Sequence, residues 1–236
     1  MLAYKLRFVS KRDILDQHVL HQIGAAKVLT AKPRNTPDWF IIVDEERYRP
    51  CEDEPYIARC LAAHKIISDG FPQLVANAPR RSDEGFLAGR LTDLVRNQLV
   101  MDYAAENSFS PIPQLVERVW DQVRFLKSGG VPQIPAYTER QGELSRILLL
   151  SQVLLNGLLP KGLVQELDAE FARAFPKERA KAHELVKYIS VYDYHTQDGF
   201  QKAVWAAAIL LWGSHEPFHF IEAAPRARGD ARQEQK

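Results

Sequence analysis

Residues 138–159 read TERQGELSRILLLSQVLLNGLL, and this stretch indicates the kind of fold that the chain adopts. Thr138 followed three residues later by Gln141 is the pattern of a capping box, in which two side chains satisfy backbone donors at the start of a helix. Leucine then recurs at helical spacing, which places an apolar face along the helix. The leucines are Leu144, Leu148, Leu149, Leu150, Leu154, Leu155 and Leu158. The stretch predicts a leucine-rich helix that runs through Leu159 and is stopped by Pro160.

Apolar residues at helical spacing recur on both sides of this stretch. Pro55 fits the first turn of one helix, and Asp69-Gly70 fits its end. A long helix is predicted after Gly85, and the next begins at Ser110-Pro111 and ends at Ser128-Gly-Gly130. Further helices are predicted at about 163–174, 177–189 and 200–212, the last one ending at Gly213. Their apolar faces predict a bundle in which each helix packs against its neighbours.

The N-terminal residues follow a different pattern. Leu2, Tyr4, Leu6 and Phe8 alternate with less apolar residues, which predicts a half-buried strand. Ser10 followed by Asp13 resembles a capping box and predicts a helix as far as Ala26. Residues 39–43 are aromatic and β-branched and predict a second strand. Together these elements predict a small β-α-β unit.

The predicted fold is therefore mostly α, a helical bundle with a small N-terminal β-α-β element (α+β). Residues 1–50 form the mixed N-terminal unit and residues 51–225 form the bundle. A hinge is predicted at 128–138, where glycine and proline interrupt the helices, and residues 226–236 are predicted to be a disordered tail.

Composition indicates an ordinary globular protein, because 46% of the residues are hydrophobic and 26% are charged. The N-terminus has charges where a secretory signal needs an apolar run, and the longest apolar run, residues 203–212, is too short to span a membrane. The two cysteines, Cys51 and Cys60, do not have the spacing of a zinc ribbon or a disulfide framework. We therefore expect a soluble, cytoplasmic protein without membrane contact.

Charge is unevenly distributed although the formal net charge is only +1. Residues 1–36 carry a net charge of +5, and residues 37–78 carry −4. Clustered cations can contact phosphates, so nucleic-acid binding through a basic N-terminal segment is one hypothesis. The residues predicted to make such contacts are Lys5, Arg7, Lys11, Arg12, Arg34, Arg80 and Arg81. Interleaving of the basic and acidic blocks in the fold would cancel the patch.

The strongest catalytic pattern lies near the C-terminus. Residues 215–219 read HEPFH, which satisfies the H-E-x-x-H pattern of zinc hydrolases. That chemistry needs both imidazoles on one rigid helix, and Pro217 together with Gly213 opposes such a helix. His183 and His195 could converge with His215 and His219 if the last helices pack together. A metal-dependent hydrolase built on these residues is the alternative hypothesis.

A short pattern beside the basic segment also resembles a known family. Residues 12–18 read RDILDQH, which resembles the Arg-polar-x-x-x-x-His signature of the HEPN family, helical domains that often cleave RNA. The resemblance implies that Arg12 and His18 act on the ribose oxygen and the phosphate. In this chain the pattern follows a predicted strand, whereas the family carries it late in a helical bundle. The other interpretation of His18 is a hydrogen-bonded core histidine.

No motif identifies a reaction or a cofactor. The sequence contains neither a G-x-S-x-G nucleophile turn nor a glycine-rich phosphate loop. The catalytic residues are therefore not identified, and we predict neither a resident metal nor another cofactor. The leading hypothesis is a non-catalytic helical subunit or adaptor of a cytosolic assembly. Its expected partner is another protein or further copies of the chain, with nucleic acid as an additional partner.

Overall fold

The computed structural model describes residues 6–14, 28–31, 39–106, 113–130 and 138–221. Within these ranges the chain is mostly helical, with short strands in two small sheets. This confirms the predicted class, mostly α with a small β element near the N-terminus. Among the described helices, none combines the length and the apolar character that crossing a membrane requires.

The N-terminal sheet consists of β1 (Leu6–Ser10), β2 (Val28–Ala31) and β3 (Trp39–Val43) in the order β1-β3-β2. β1 and β3 are parallel, as expected for the two strands of a β-α-β unit. β2 pairs with β3 in the antiparallel direction and was not predicted. Four residues without clear alternation are too few to reveal a strand in the sequence.

The helix predicted to open at the Ser10–Asp13 capping box does not continue through Ile14. Residues Lys11–Asp13 form one turn of 3-10 helix, in which the Ser10 hydroxyl accepts a hydrogen bond from the Arg12 N–H at 3.1 Å. Ile14 is already extended, with φ −86° and ψ 111°. The rest of the predicted helix falls within residues 15–27, and Leu2 and Tyr4 of the predicted strand also lie outside the described residues.

Every helix predicted from residue 55 onward is present. The helices are α1 (Pro50–Ser68), α2 (Asp83–Glu106), α3 (Pro113–Lys127), α4 (Glu139–Leu155), α5 (Lys161–Ala174), α6 (Pro176–Ser190) and α7 (Gln197–Trp212). α1 starts before the predicted first turn, so Pro55 lies inside it and removes one backbone hydrogen bond. α4 stops four residues short of Leu159, because the Asn156 side chain accepts the Leu158 N–H at 3.0 Å.

Two helix ends agree with the sequence prediction. The Thr138 hydroxyl accepts the Gln141 N–H at 3.0 Å, and the Gln141 side chain donates to the Arg81 carbonyl and to Asp83. Only half of the capping box is therefore formed, since the glutamine connects α4 to the start of α2. Gly213 ends α7 with φ 90°, a left-handed conformation that suits a residue without a Cβ.

α2 and α4 lie at the centre of the helical core. α2 packs against α1, α4 and α7, while α4 also packs against α5 and α6. The second sheet lies against α2 and joins β4 (Gln73–Ala76) to the antiparallel β5 (Phe218–Ile221). Leu74 and Phe218 are buried there. Neither strand was predicted.

The buried residues of the N-terminal sheet are separate from this core. Ile41 and Ile42 are fully buried, but the contiguous core built by the helices includes neither of them. The division into an N-terminal unit of residues 1–50 and a bundle of residues 51–225 stays a prediction. Most of the predicted hinge, residues 131–137, and the whole predicted tail lie outside the described residues.

Candidate protein-interaction surface

α7 is apolar on all sides over most of its length. Residues 203–212 read AVWAAAILLW and contain no polar side chain. The inward side of α7 packs in the core, where Val204, Ala207 and Ala208 are buried. A helix in contact with water on one side normally carries polar residues there. The outer side of α7 therefore differs from an ordinary solvent-facing surface.

That outer side forms one wall of an apolar groove between α6 and α7, with a volume of about 340 Å³. We call it the α6–α7 groove. Its lining consists of Tyr188, Tyr192, Lys202, Trp205, Ala206, Ile209 and Leu210. Ile209 is 47% exposed, and Tyr188, which also lines the groove, is 45% exposed. Large apolar side chains that are grouped and exposed in this way mark interaction surfaces.

The C-terminal strand holds Trp205 in place. The Trp205 ring meets the ring of Phe220 edge-on, with 5.1 Å between the ring centroids. His215 makes a similar contact with Trp205 at 5.6 Å. These edge-to-face contacts stabilise one orientation of the indole. The groove therefore has a fixed aromatic residue in its wall.

Lys181 on α6 and Lys202 on α7 each pair with an acid on their own helix. Lys202, which lines the groove, lies 2.5 Å from Asp198, and Lys181 lies 3.2 Å from Glu184. Pairs of this kind contribute little to stability because water screens them. They do leave the groove without a strong local charge, so it suits an apolar partner better than an ionic one.

The late histidines lie in different places and have different neighbours. His183 of α6 contacts Asp168 of α5 at 2.7 Å, and Arg179 contacts the same carboxylate. Burial acts to raise the pKa of Asp168, but the hydrogen bonds from Arg179 and His183 outweigh it and lower the pKa. This cluster is an ion-pair network that connects α5 and α6.

His195 follows α6 and belongs to another cluster. Its Nε2 atom lies 3.2 Å from Asp102 at the end of α2, and the Tyr194 hydroxyl donates to the same carboxylate at 3.0 Å. Gln98 donates to the other carboxylate oxygen at 2.7 Å. Burial, followed by the nearby Asp102 charge, raises the pKa of Tyr194 to about 12. Tyr194 therefore stays protonated and acts as a hydrogen-bond donor.

His215 and His219 do not share a helix. His219 lies on the strand β5, and His215 lies in the turn before it, next to Trp205. The strand prevents the i, i+4 arrangement on one helix face that zinc hydrolases use. Across the residues that the structure describes, no group of three or more histidine, cysteine, aspartate or glutamate side chains could hold a metal ion.

The predicted nucleic-acid-binding residues have varied surroundings. Lys11 contacts Asp44 at 2.9 Å and Arg12 contacts Glu46 at 2.7 Å, so acids from the negative block compensate both cations. The hydrogen bond from Lys11 lowers the pKa of Asp44 despite its burial. Arg80 and Arg81 lie on the loop before α2, with Arg81 also engaged in contacts.

The remaining residues predicted to bind nucleic acid lie outside what the structure describes. Lys5 and Arg34 lie outside the described residues, and the side chain of Arg7 on β1 does too. Nucleic-acid contact through the basic segment therefore stays a prediction. His18 of the HEPN-like pattern also lies outside the described residues, while Arg12 of the same pattern is paired with Glu46.

Sequence reasoning did not identify the α6–α7 groove, although the sequence contained one sign of it. Residues 203–212 are entirely apolar, which in a soluble protein is also the pattern of a helix buried on every side. The absence of any polar face is the sequence feature that corresponds to the apolar outer side of α7. No family model, curated protein or solved structure matches this chain.

Proposed function

We propose that this protein is a non-catalytic helical subunit or adaptor of a cytoplasmic assembly, and that it binds a partner protein in the α6–α7 groove. The observation that supports the proposal is the outer side of α7, where Trp205, Ala206 and Ile209 form an apolar surface. Leaving such a surface in water is unfavourable by roughly 25 cal/mol per Å² of apolar area. A partner that covers it recovers that free energy.

The occupant that fits best is an apolar face of a helix from the partner. The groove follows α7 from Lys202 to Leu210, which is a little over two helical turns or roughly 12 Å. A partner helix presents anchors at three- and four-residue spacing, which matches a groove of this length. The tyrosines Tyr188 and Tyr192 add hydroxyl groups for polar contacts at the wall.

Site-specific photocrosslinking in the native host tests this proposal. A photoreactive phenylalanine analogue at position 209 is expected to capture one partner, whereas the same analogue at Gln165, an exposed position on α5, captures it rarely. Binding of the captured protein is then measured with purified components. Ile209→Asp is expected to weaken it at least about 10-fold, because a carboxylate would be buried against apolar atoms.

Leu61→Asp is the matched control, since Leu61 is a similarly exposed apolar residue on α1. We expect this variant to bind the partner as the unchanged protein does. Equal binding by Ile209→Asp and the unchanged protein would contradict the proposal. Equal crosslinking from positions 165 and 209 would contradict it as well. If the captured protein is another copy of this chain, the assembly is a homo-oligomer. The proposal that a different protein occupies the groove is then wrong.

A further inference from the structure

The loop between α6 and α7, residues 191–196, is attached to a third helix. Two of its side chains approach the carboxylate of Asp102, which lies near the end of α2. The Tyr194 hydroxyl donates to Oδ2 at 3.0 Å, and the His195 Nε2 atom lies 3.2 Å from the same oxygen. The Gln98 amide donates to Oδ1 at 2.7 Å and orients the carboxylate from its own helix. We call these four residues the Asp102 cluster.

The Asp102 cluster is partly shielded from water. The Asp102 side chain is 25% exposed, and Gln98 is buried. The rings of Tyr194 and His195 stack on each other with 4.8 Å between their centroids. A hydrogen bond to a charged acceptor is stronger than one between neutral groups, and partial burial strengthens it further. The cluster therefore fixes the loop against α2.

The same loop supplies part of the groove wall. Tyr192, two residues before Tyr194, lines the α6–α7 groove. The Tyr194 N–H donates to the Tyr192 carbonyl at 3.0 Å, so the backbone between them is tightly turned. The Tyr192 N–H in turn donates to the Ile189 carbonyl on α6 at 3.2 Å. A shift of Tyr194 would therefore be passed on to Tyr192.

The other side-chain hydrogen bonds described for residues 191–196 are local. The Thr196 hydroxyl donates to the Asp193 carbonyl at 2.9 Å and accepts the Gly199 N–H at 3.1 Å, which connects the loop to the start of α7. The bond from Tyr194 to Asp102 instead joins residues 92 positions apart in the sequence. Asp102 therefore sets the position of the loop relative to α2.

We propose that Asp102 is a positioning residue for the α6–α7 groove. It holds Tyr194, and through it Tyr192, in the arrangement that the partner binds. Asp102 does not line the groove, so its effect on binding is indirect. Without this contact only a fraction of the molecules has a groove wall that fits the partner, and the apparent Kd rises in proportion. The inference rests on the proposed function of the groove.

Hydrogen exchange of the purified full chain tests the first step without a partner. Asp102→Ala is expected to speed exchange at the amides of residues 191–196 and to leave those of α5 unchanged. Asp102→Asn keeps a side-chain oxygen that can accept the Tyr194 hydroxyl, so it should retain most of the protection. Equal exchange of the loop in Asp102→Ala and in the unchanged protein would overturn the proposal.

The Kd for the protein captured by crosslinking from position 209 tests the second step. Asp102→Ala is expected to raise this Kd about 3- to 10-fold, the effect of one hydrogen bond. Asp168→Ala is the matched control, because the Asp168 carboxylate also joins two elements but contacts no residue of the groove lining. It should lower the unfolding temperature and leave the Kd unchanged. An equal rise of the Kd in both variants would reduce Asp102 to a general stabilising role and overturn the proposal.

A double variant shows whether Asp102 acts through Tyr192. In a Tyr192→Ala protein, Asp102→Ala should raise the Kd no further, since the residue that it positions is already gone. Fully additive effects of the two substitutions would sink the inference. Weakened binding by Ile209→Asp together with unchanged binding by Asp102→Ala would overturn this inference alone. Unchanged binding by Ile209→Asp would overturn the proposed function of the groove and with it any role of Asp102 there.

Discussion

Asp168 shows how a single side chain connects two helices. It lies on α5 and accepts hydrogen bonds from Arg179 and His183 of α6, both at 2.7 Å at their closest approach. Its pKa in the folded protein lies below its ordinary value near 3.8. The charged carboxylate therefore stabilises the fold above that pH. This contribution disappears as the pH falls through the lowered pKa.

We expect Asp168→Asn to lower the free energy of unfolding at neutral pH by about 1–2 kcal/mol, because half-exposed partners weaken the ion pairs. As the pH falls through the lowered pKa of Asp168, the variant and the unchanged protein should converge in stability, because the carboxylate then becomes protonated. Urea unfolding followed by circular dichroism across this pH range measures both effects. Asp121→Asn is the control, as its pair with Arg124 is exposed and should contribute almost nothing. A constant difference at all pH values would refute this explanation.

Gly199 is required by a close approach of the backbone. It lies in the first turn of α7, and a Cβ on it would come within 1.9 Å of the Asp193 carbonyl oxygen. Gly199→Ala should therefore destabilise the protein by at least about 2–3 kcal/mol. Gly89 lies inside α2 with nothing within 4 Å of such a Cβ. Gly89→Ala should stabilise the protein by about 0.5–1 kcal/mol through helix propensity. Thermal unfolding measures the change in stability of both variants. Equal changes in the two variants would contradict this explanation.

At the scale of elements, the C-terminal strand is an integral part of the core. Phe218 of β5 is buried and contacts Trp212 edge-to-face at 6.2 Å, whereas Ile221 at the other end of the strand is largely exposed. Phe218→Ala is expected to lower the free energy of unfolding by about 3–5 kcal/mol through lost burial and the cavity left behind. For Ile221→Ala we expect less than about 1 kcal/mol. Chemical denaturation measures both changes in the free energy of unfolding. Similar losses in the two variants would argue against β5 as an integral part of the core.

Sequence reasoning predicted elements whose signal is local. The helices from α2 to α7 repeat apolar residues over several turns, and the caps at Thr138 and Gly213 depend on neighbours within four residues. β4 and β5 were missed because each has four residues and a partner far away in the sequence. For the same reason the sequence did not reveal the α6–α7 groove, which depends on how separate helices pack.

At the scale of the whole molecule, two groups of buried residues coexist. Ile41 and Ile42 stabilise the N-terminal sheet, while Leu150 of α4 belongs to the helical core. We expect Ile42→Ala to speed hydrogen exchange at the amides of β3 and to leave the amides of α4 unchanged. Leu150→Ala should speed exchange in α4. Mass spectrometry of exchanged peptides reads out both regions, and equal acceleration in both by Ile42→Ala would mean that they unfold as one unit.

In the folded chain, acids of residues 37–78 compensate some of the cations of residues 1–36. The basic block and the acidic block meet in the pairs Lys11–Asp44 and Arg12–Glu46. If nucleic acid nevertheless binds to this segment, Lys11→Glu with Arg12→Glu should abolish a salt-dependent mobility shift with RNA or DNA. Affinity that does not change with ionic strength would exclude phosphate contacts as its source.

Pairing of β4 with β5 has a consequence for synthesis of the protein on the ribosome. β4 is made early, but its partner exists only after residues 218–221 have been translated. Until then the edge of β4 that pairs with β5 offers unpaired backbone groups to other nascent chains. Translation that stalls between these two points would leave a polypeptide prone to aggregation, for which chaperones would compete.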